Sequence, residues 1–279
     1  MDFKAHGKIN LSLDITGILP NGYHSVSMVM QSVELCDTIS IEKSENISVI
    51  CDNPEIPEGK DNIAYKACEL MIEEFDIPHG FDVKIQKRIP VAGGMAGGST
   101  DAAAVMRGIN ELCSLGASTE KLMELAVSLG ADVPFCIQEK PALAEGIGEK
   151  LLPVKGLWKE LFILLVNPNI SISTKEIYHK IDDKKMFNKG NNVELIAALA
   201  EKKLCDLKYN MINVMQDVTE SICPQISEII SKLYSAGATV ALMSGSGATC
   251  YGVFDDLSSA EKAQKEFDGY FTAITHTIE

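Results

Sequence analysis

Four glycines fall within six residues of the segment Pro90-Val91-Ala92-Gly93-Gly94-Met95-Ala96-Gly97-Gly98-Ser99-Thr100-Asp101-Ala102. A helix is predicted to follow, because Ala102, Val105, Met106, Ile109, Leu112 and Cys113 recur at helical spacing. A glycine-rich turn that opens a helix leaves backbone N–H groups unpaired at the positive end of the helix dipole, which is a phosphate-binding geometry. Glycine matters there because a Cβ would hold the backbone away from phosphate oxygens and because such concave turns often need positive φ. The Ser99 and Thr100 hydroxyls add groups suited to phosphate and Mg²⁺, whereas a carboxylate at Asp101 repels phosphate unless a cation lies between them. Two better-known patterns are absent: Gly93-x-x-x-x-Gly98 is followed by Ser99 rather than by Lys, and the G-x-G-x-x-G spacing of dinucleotide folds is missing. Composition alone also permits a plain flexible connection between a strand and a helix.

Other chemistries are poorly served. The eight cysteines, at positions 36, 51, 68, 113, 136, 205, 223 and 250, are never closer than fifteen residues, which excludes a CxxC motif. Cys68, Cys113 and Cys250 lie in apolar segments and are expected to act as small core hydrophobes. His6, His24, His79, His179 and His276 form no HxxxH pair, so no built-in zinc site is expected. The 25 Lys and Arg against 39 Asp and Glu give a net charge of −14 without a basic cluster, which argues against nucleic acid and anionic membranes as partners. The longest apolar run, Leu161 to Val166, is six residues, far below the roughly 20 that span a bilayer, and Met1-Asp2-Phe3-Lys4 opens no signal peptide. A cytoplasmic protein is expected.

The elements that must carry the loop follow from periodicity. Ile9, Leu11, Leu13 and Ile15 alternate with polar residues and predict a half-buried strand, ending in the turn-rich stretch Gly17 to Gly22. Ile39 to Glu42 and Ile47 to Cys51 are expected to form a hairpin, and Asp61 to cap a helix striped by Ala64, Ala67, Cys68, Met71 and Phe75. Phe81, Val83 and Ile85 predict the strand that enters the glycine loop. A second helix is predicted from Ser118 to Gly130, delivering Ala131-Asp132-Val133-Pro134 into a loop. Beyond it come strand Leu161 to Val166, helices near Ser173 to Ile181, Asn192 to Glu201 and Ile226 to Leu233, and strands Val240 to Met243 and Thr249 to Phe254. A helix capped near Ser258 and a strand from Phe271 to Thr277 close the chain. This mixture predicts an α+β architecture in two domains, 1–155 and 156–279, divided in the Pro153 to Gly156 loop.

The glycine loop resembles that of the GHMP kinases, whose Pro-x-x-Gly-Leu-Gly-Ser-Ser-Ala type loop surrounds ATP phosphates. Gly7-Lys8-Ile9-Asn10-Leu11-Ser12-Leu13, Gly17 and Asn21-Gly22-Tyr23-His24 are similar to the branch that acts on 4-diphosphocytidyl-2-C-methyl-D-erythritol in the non-mevalonate isoprenoid pathway. Leu129-Gly130-Ala131-Asp132-Val133-Pro134 and Ser244-Gly245-Ser246-Gly247-Ala248-Thr249 continue the likeness in the same order along nearly the whole chain. Departures are Met95-Ala96 where many relatives have Leu-Gly, Gly7 for Ala, Leu19 where a basic residue is common, and Ala248 for Pro. The exchanges at positions 7 and 96 are between small residues and should leave backbone donors in place; Leu19 removes a charge contact to substrate from that turn.

The resemblance implies a fold with an N-terminal domain like ribosomal protein S5 domain 2 and a ferredoxin-like C-terminal domain, and it implies ATP and Mg²⁺ as cofactors. It makes Asp132 the general base for the substrate hydroxyl and Lys8 its charge partner. Gly94, Gly97, Gly98, Ser99 and Thr100 would wrap the phosphates, with Ser99 reaching Mg²⁺, and Asn62, Ile63 and Lys87 would hold the adenine. Tyr23 and Tyr178 are implied as a stacking pair for the cytosine, with His24 and Thr174 hydrogen-bonding it, Asn10 near the reacting end, and Gly245, Ser246 and Gly247 walling the cleft. By residue type alone, Asp132 also suits a solvated turn or a cap, Lys8 an exposed strand position, Lys87 a solvated strand end, Tyr178 a core-facing helix position, and Gly245 to Gly247 an ordinary β-turn. The implied partner is a small cytidine diphosphate derivative, and the implied state a monomer or weak homodimer. Another GHMP acceptor, such as homoserine or a mevalonate, and a noncatalytic nucleotide binder are the alternatives. The Gly22-Tyr23-His24 turn speaks against the first, and the presence of both Lys8 and Asp132 against the second.

Overall fold

The computed structural model describes residues 1–184, 190 and 192–278 of the chain. Along the chain run β1 (Asp2–Ile18), β2 (His24–Ser44), β3 (Ser48–Cys51), α1 (Ile63–Glu74), β4 (Gly80–Gln86), α2 (Gly97–Leu112), α3 (Thr119–Ala126), α4 (Val133–Gln138), β5 (Ala142–Gly146) and β6 (Lys150–Pro153). Then follow β7 (Phe162–Asn167), α5 (Thr174–Lys184), α6 (Asn192–Ala200), α7 (Leu204–Asn210), α8 (Gln216–Glu220), α9 (Gln225–Ser235), β8 (Val240–Met243), β9 (Cys250–Phe254), α10 (Leu257–Gln264) and β10 (Phe271–Thr275). These elements group into two compact units that interleave along the chain. One comprises Met1–Gly7, Leu35–Val91 and Ala96–Glu139, and the other Lys8–Glu34, Ala92–Met95 and Lys140–Glu279. Residue 155 falls inside the second unit. Among the described residues no helix is long and apolar enough to cross a membrane.

In the first unit β4 is flanked by two partners. It pairs antiparallel with the end of β2, from Thr38 opposite Gln86 to Ser44 opposite Gly80, and parallel with β3. The expected hairpin between 39–42 and 47–51 is therefore corrected: β4 lies between these strands, since its alternating Phe81, Val83 and Ile85 supply a buried face against both. Helices α1 and α2 pack together, and their buried stripes carry Ala64, Ala67, Cys68 and Met71 on one and Ala102 to Met106 on the other. A Cβ at Gly108 would lie 2.5 Å from Ile41 Cδ1 and 2.9 Å from the Phe3 ring, which shows how closely α2 approaches the strands.

Three caps and ends differ from expectation in this half. Asn62, not Asp61, caps α1, because its Oδ1 accepts from Ala64 N at 2.8 Å. Ser118 caps α3 as expected, but the helix ends at Ala126 rather than Gly130. The supposed loop at 131–134 begins α4, where Pro134 is tolerated because a first-turn residue needs no intrahelical N–H bond.

The second unit holds a four-stranded antiparallel sheet in the order β10-β7-β9-β8. With α5 to α9 between β7 and β8, and α10 between β9 and β10, this is the ferredoxin-like βαββαβ arrangement. In the same unit the first half of β2 pairs with β5, and β5 with β6. The Lys8 to Ile15 part of β1 is buried on both faces, not half-buried. Its polar residues are tolerated because they are bonded: Ser12 Oγ donates to Asn192 Oδ1 at 2.5 Å, and Asp14 Oδ2 accepts from Gly190 N at 2.8 Å. Asp256, not Ser258, caps α10 by accepting from Ser259 N at 2.9 Å.

Candidate active site

The glycine loop is shared by the two units, passing from one to the other at Met95 and Ala96. In the first unit α2 already begins at Gly97, so Gly97, Gly98 and Ser99 form its first turn, where helical amides have no partner within the helix. Ala96, the residue before it, is left-handed with φ 59° and ψ 30°, and no side chain caps the helix. Gly98 is exposed and Ser99 half-buried. Thr100 is fully buried: its amide donates to Ala96 O at 2.9 Å and its hydroxyl to His6 O at 2.6 Å.

Beneath this turn lies Lys87, whose Nζ donates to Asp37 Oδ2 at 2.5 Å and Asp101 Oδ2 at 2.8 Å and would sit 3.3 Å from a Cβ on Gly97. Asp101 therefore does not face outward as a repelling charge; it is buried and paired. Burial, partly offset by Lys87, pushes its carboxyl up to about 7. Burial by itself lowers the Lys87 ammonium, but the Asp101 and Asp37 carboxylates outweigh it and raise it. Two carboxylates around one ammonium, with a proton retained near neutrality, leave the cluster close to neutral beneath the loop. Asp37 Oδ1 also accepts from Arg88 N and Ile89 N, at 2.5 and 2.8 Å, and so fixes the chain that leaves β4.

Asn62 and Ile63 approach the same turn: Ile63 Cγ2 would be 3.5 Å from a Cβ on Gly98, and Asn62 is held by Pro57 O and Ala64 N. Thus Asn62, Ile63, Lys87, Gly97 and Gly98 converge in one place. Asp132 stands at the start of α4, half-buried, with its carbonyl accepting from Cys136 N. Its carboxylate makes no capping bond to its own helix.

In the second unit Lys8 is buried, and its Nζ donates to Asn10 Oδ1 at 2.7 Å. Its amide donates to Met95 O at 3.2 Å, which sets it beside the glycine loop. Ser244 joins Asn10 to the loop, accepting from Asn10 N at 3.2 Å and donating to Gly94 O at 2.9 Å. Gly94 has φ +75°, and a Cβ there would lie 2.1 Å from Ser244 O. Gly245 and Gly247 also take positive φ, so the loop 244–247 packs on Gly94 as only glycine permits. Ser246 is buried, with Oγ 2.8 Å from Thr174 Oγ1.

His24 stacks on Tyr178, with centroids 4.3 Å apart and planes 21° from parallel, and its Nε2 lies 2.7 Å from Asp182 Oδ1. His24 and Tyr178 thus stack on each other, and Tyr23 is exposed. Sequence reasoning missed Asp182, Ser244 and the Asp37–Asp101 pair. Of these only Asp182 left a signal, four residues after Tyr178 on the same face of α5. Among the described residues no three His, Cys, Asp or Glu gather as a metal site.

The family model of the GHMP kinases N terminal domain matches residues 62–140, and that of the GHMP kinases C terminal matches residues 192–273. A 4-diphosphocytidyl-2-C-methyl-D-erythritol kinase of Acetivibrio thermocellus is 45% identical over 261 residues, covering 93% of this chain and 92% of its own. The chain belongs to the GHMP kinases. The kinase is also 42% identical, over 92% of both chains, to the protein of the same name from Clostridium botulinum strain Kyoto. A crystal structure of 4-(cytidine 5'-diphospho)-2C-methyl-D-erythritol kinase superposes with a TM-score of 0.81 at 26% identity, covering 99% of both chains. The α+β, two-domain GHMP fold expected from the sequence is the fold observed, and the kinase is a phosphotransferase of a family that uses ATP.

Proposed function

We propose that this kinase transfers the γ-phosphoryl group of ATP to the 2-hydroxyl of 4-diphosphocytidyl-2-C-methyl-D-erythritol, a step of the non-mevalonate isoprenoid pathway. The reading is carried by the 42–45% identity, over nearly the whole chain, to relatives named for that substrate. The His24–Tyr178 pair agrees with it, because a planar platform with a ring nitrogen beside it suits a pyrimidine. Tyr23 adds an exposed ring next to His24, and Thr174 with Ser246 adds a pair of hydroxyls.

Phosphoryl transfer asks the protein chiefly to position its reactants and to neutralise charge. The amides of Gly97, Gly98 and Ser99 meet the phosphates, Gly94 shapes the loop, and Thr100 ties the turn to β1. Asn62 and Ile63 line the adenine side, and Lys87, paired with Asp37 and Asp101, supports the turn from beneath. Asp132 accepts the proton of the 2-hydroxyl, and Lys8, held by Asn10, stabilises negative charge as the nucleophile forms; loss of such a base typically costs about 10² to 10⁴ in rate. Mg²⁺, when bound, neutralises charge on the phosphates. The Ser99 hydroxyl fits a cation that keeps phosphate and water ligands, and does not by itself form a cage. Gly245, Ser246 and Gly247 close the acceptor side.

We take 1–155 and 156–279 as the family's two domains, working in the cytoplasm as a monomer or weak homodimer. ATP consumption is the test, measured with Mg²⁺ and 4-diphosphocytidyl-2-C-methyl-D-erythritol, uncytidylated methylerythritol phosphate, homoserine and mevalonate in parallel. Turnover confined to the cytidylated acceptor is expected. Turnover on homoserine or mevalonate instead discards the cytosine assignment.

A further inference from the structure

Arg107, midway along α2, spends its guanidinium on the far end of α4. Nη1 donates to Cys136 O at 2.5 Å and more weakly to Ile137 O at 3.5 Å, while Nη2 donates to Lys4 O at 2.9 Å and Glu139 Oε1 at 3.0 Å. Cys136 and Ile137 carry closing carbonyls of α4, and Glu139 is its C-cap, in the left-handed conformation with φ 57°. A cation at this end satisfies orphaned carbonyls and complements the helix dipole. Glu139 Oε1 also lies 3.0 Å from His6 Nδ1, and the His6 carbonyl accepts the Thr100 hydroxyl from the first turn of α2. One network thus ties β1, the start of α2 and the end of α4 together.

Six residues make a helix about 9 Å long, which moves as a rod. Its buried Val133, Pro134, Phe135, Cys136 and Ile137 hold it down on most sides, but apolar contacts are non-directional and set small sliding along the axis and rotation about it less sharply than hydrogen bonds do. The directional bonds at its C-terminal end fix those two freedoms, and Asp132 is at the other end of the rod. We propose that Arg107, with Glu139 and His6, is the positioning device that sets Asp132 for proton transfer. This rests on Asp132 being the base.

The test is a double-mutant cycle of Arg107→Gln and Asp132→Asn, with kcat and both KM values measured on variants whose melting and circular dichroism show a folded chain. Asp132→Asn is expected to lose about 10² to 10⁴ in kcat. Arg107→Gln is expected to lose about 10- to 100-fold in kcat, because a base displaced by about 1 Å loses its alignment, with both KM values within about twofold. In the double variant Arg107→Gln should add no further loss, because the group it positions is gone. Losses that multiply in the double variant would show a merely structural residue and overturn the proposal, as would parental kcat in Arg107→Gln. Parental turnover in Asp132→Asn would instead remove the base assignment itself, which the single variant reveals on its own. If Arg107→Gln does not fold, the isosteric Glu139→Gln enters the same cycle, with a smaller loss in kcat that must likewise vanish beside Asp132→Asn.

Discussion

Gly94→Ala isolates the packing of the two glycine loops. The new Cβ would start 2.1 Å from Ser244 O, where ordinary contact begins at 3.4 Å, so the two backbones must part by about 1.3 Å. Ser244 cannot yield freely, since its carbonyl accepts from Gly247 N at 3.0 Å, its hydroxyl holds Gly94 O, and its amide donates to Thr249 O. Alanine at φ +75° adds about 1–2 kcal/mol of backbone strain. Displacements of about 1 Å in a positioned reactant typically cost about 10²-fold in rate. Gly94→Ala is therefore expected to lose about two orders of magnitude in kcat/KM for ATP. Gly116→Ala is the control, since Gly116 also has positive φ, +68°, but nothing within 4 Å of its Cβ position. It should show the strain alone, with ATP kinetics unchanged. Steady-state kinetics and urea denaturation on both variants read the difference. Gly94→Ala with parental ATP kinetics and a stability no lower than that of Gly116→Ala would refute the loop-on-loop packing as the determinant of phosphate geometry.

Ala96→Gly should stabilise the protein by about 0.5–1 kcal/mol in urea melts, with activity retained. It relieves a left-handed alanine at φ 59°, less the entropy that glycine adds to the unfolded chain. Asp101→Asn tests the buried cluster through pH: a carboxyl raised from 3.8 to about 7 holds its proton more tightly in the folded state, so it removes stability as pH climbs through that interval. Urea midpoints of the parent should therefore fall relative to Asp101→Asn between pH 5 and pH 8, and parallel curves would dismiss the shift. Tyr178→Ala should raise KM for the cytidylated acceptor roughly 5- to 150-fold, the worth of one base–aromatic stack, and leave KM for ATP unchanged in steady-state assays.

Strands with a single alternating face, such as β4, and helices with a clear stripe, such as α9, were legible in the sequence because the period itself records which side is buried. The first half of β2 left no such record, since Val26 to Val33 is buried on both faces apart from a half-exposed Ser27. The supposed hairpin failed for a related reason: β3 and β2 look like neighbours in sequence, but the strand that pairs with both arrives some thirty residues later. Among the candidate site residues, the glycine loop announced itself through composition. The inward turn of Asp101 depends on Lys87 and Asp37, distant in sequence, so a lone carboxylate beside a phosphate loop looked like a repelling charge. Ser244 was hidden similarly, for its role comes from Asn10 and Gly94, each at least 150 residues away.

Transfer to the acceptor's 2-hydroxyl is tested most directly by phosphorus NMR of the purified protein incubated with ATP, Mg²⁺ and 4-diphosphocytidyl-2-C-methyl-D-erythritol. One new phosphomonoester on the 2-carbon, formed in step with ADP, is the expected result. ADP formed with no new phosphomonoester, or with the phosphoryl group on another oxygen, would contradict it.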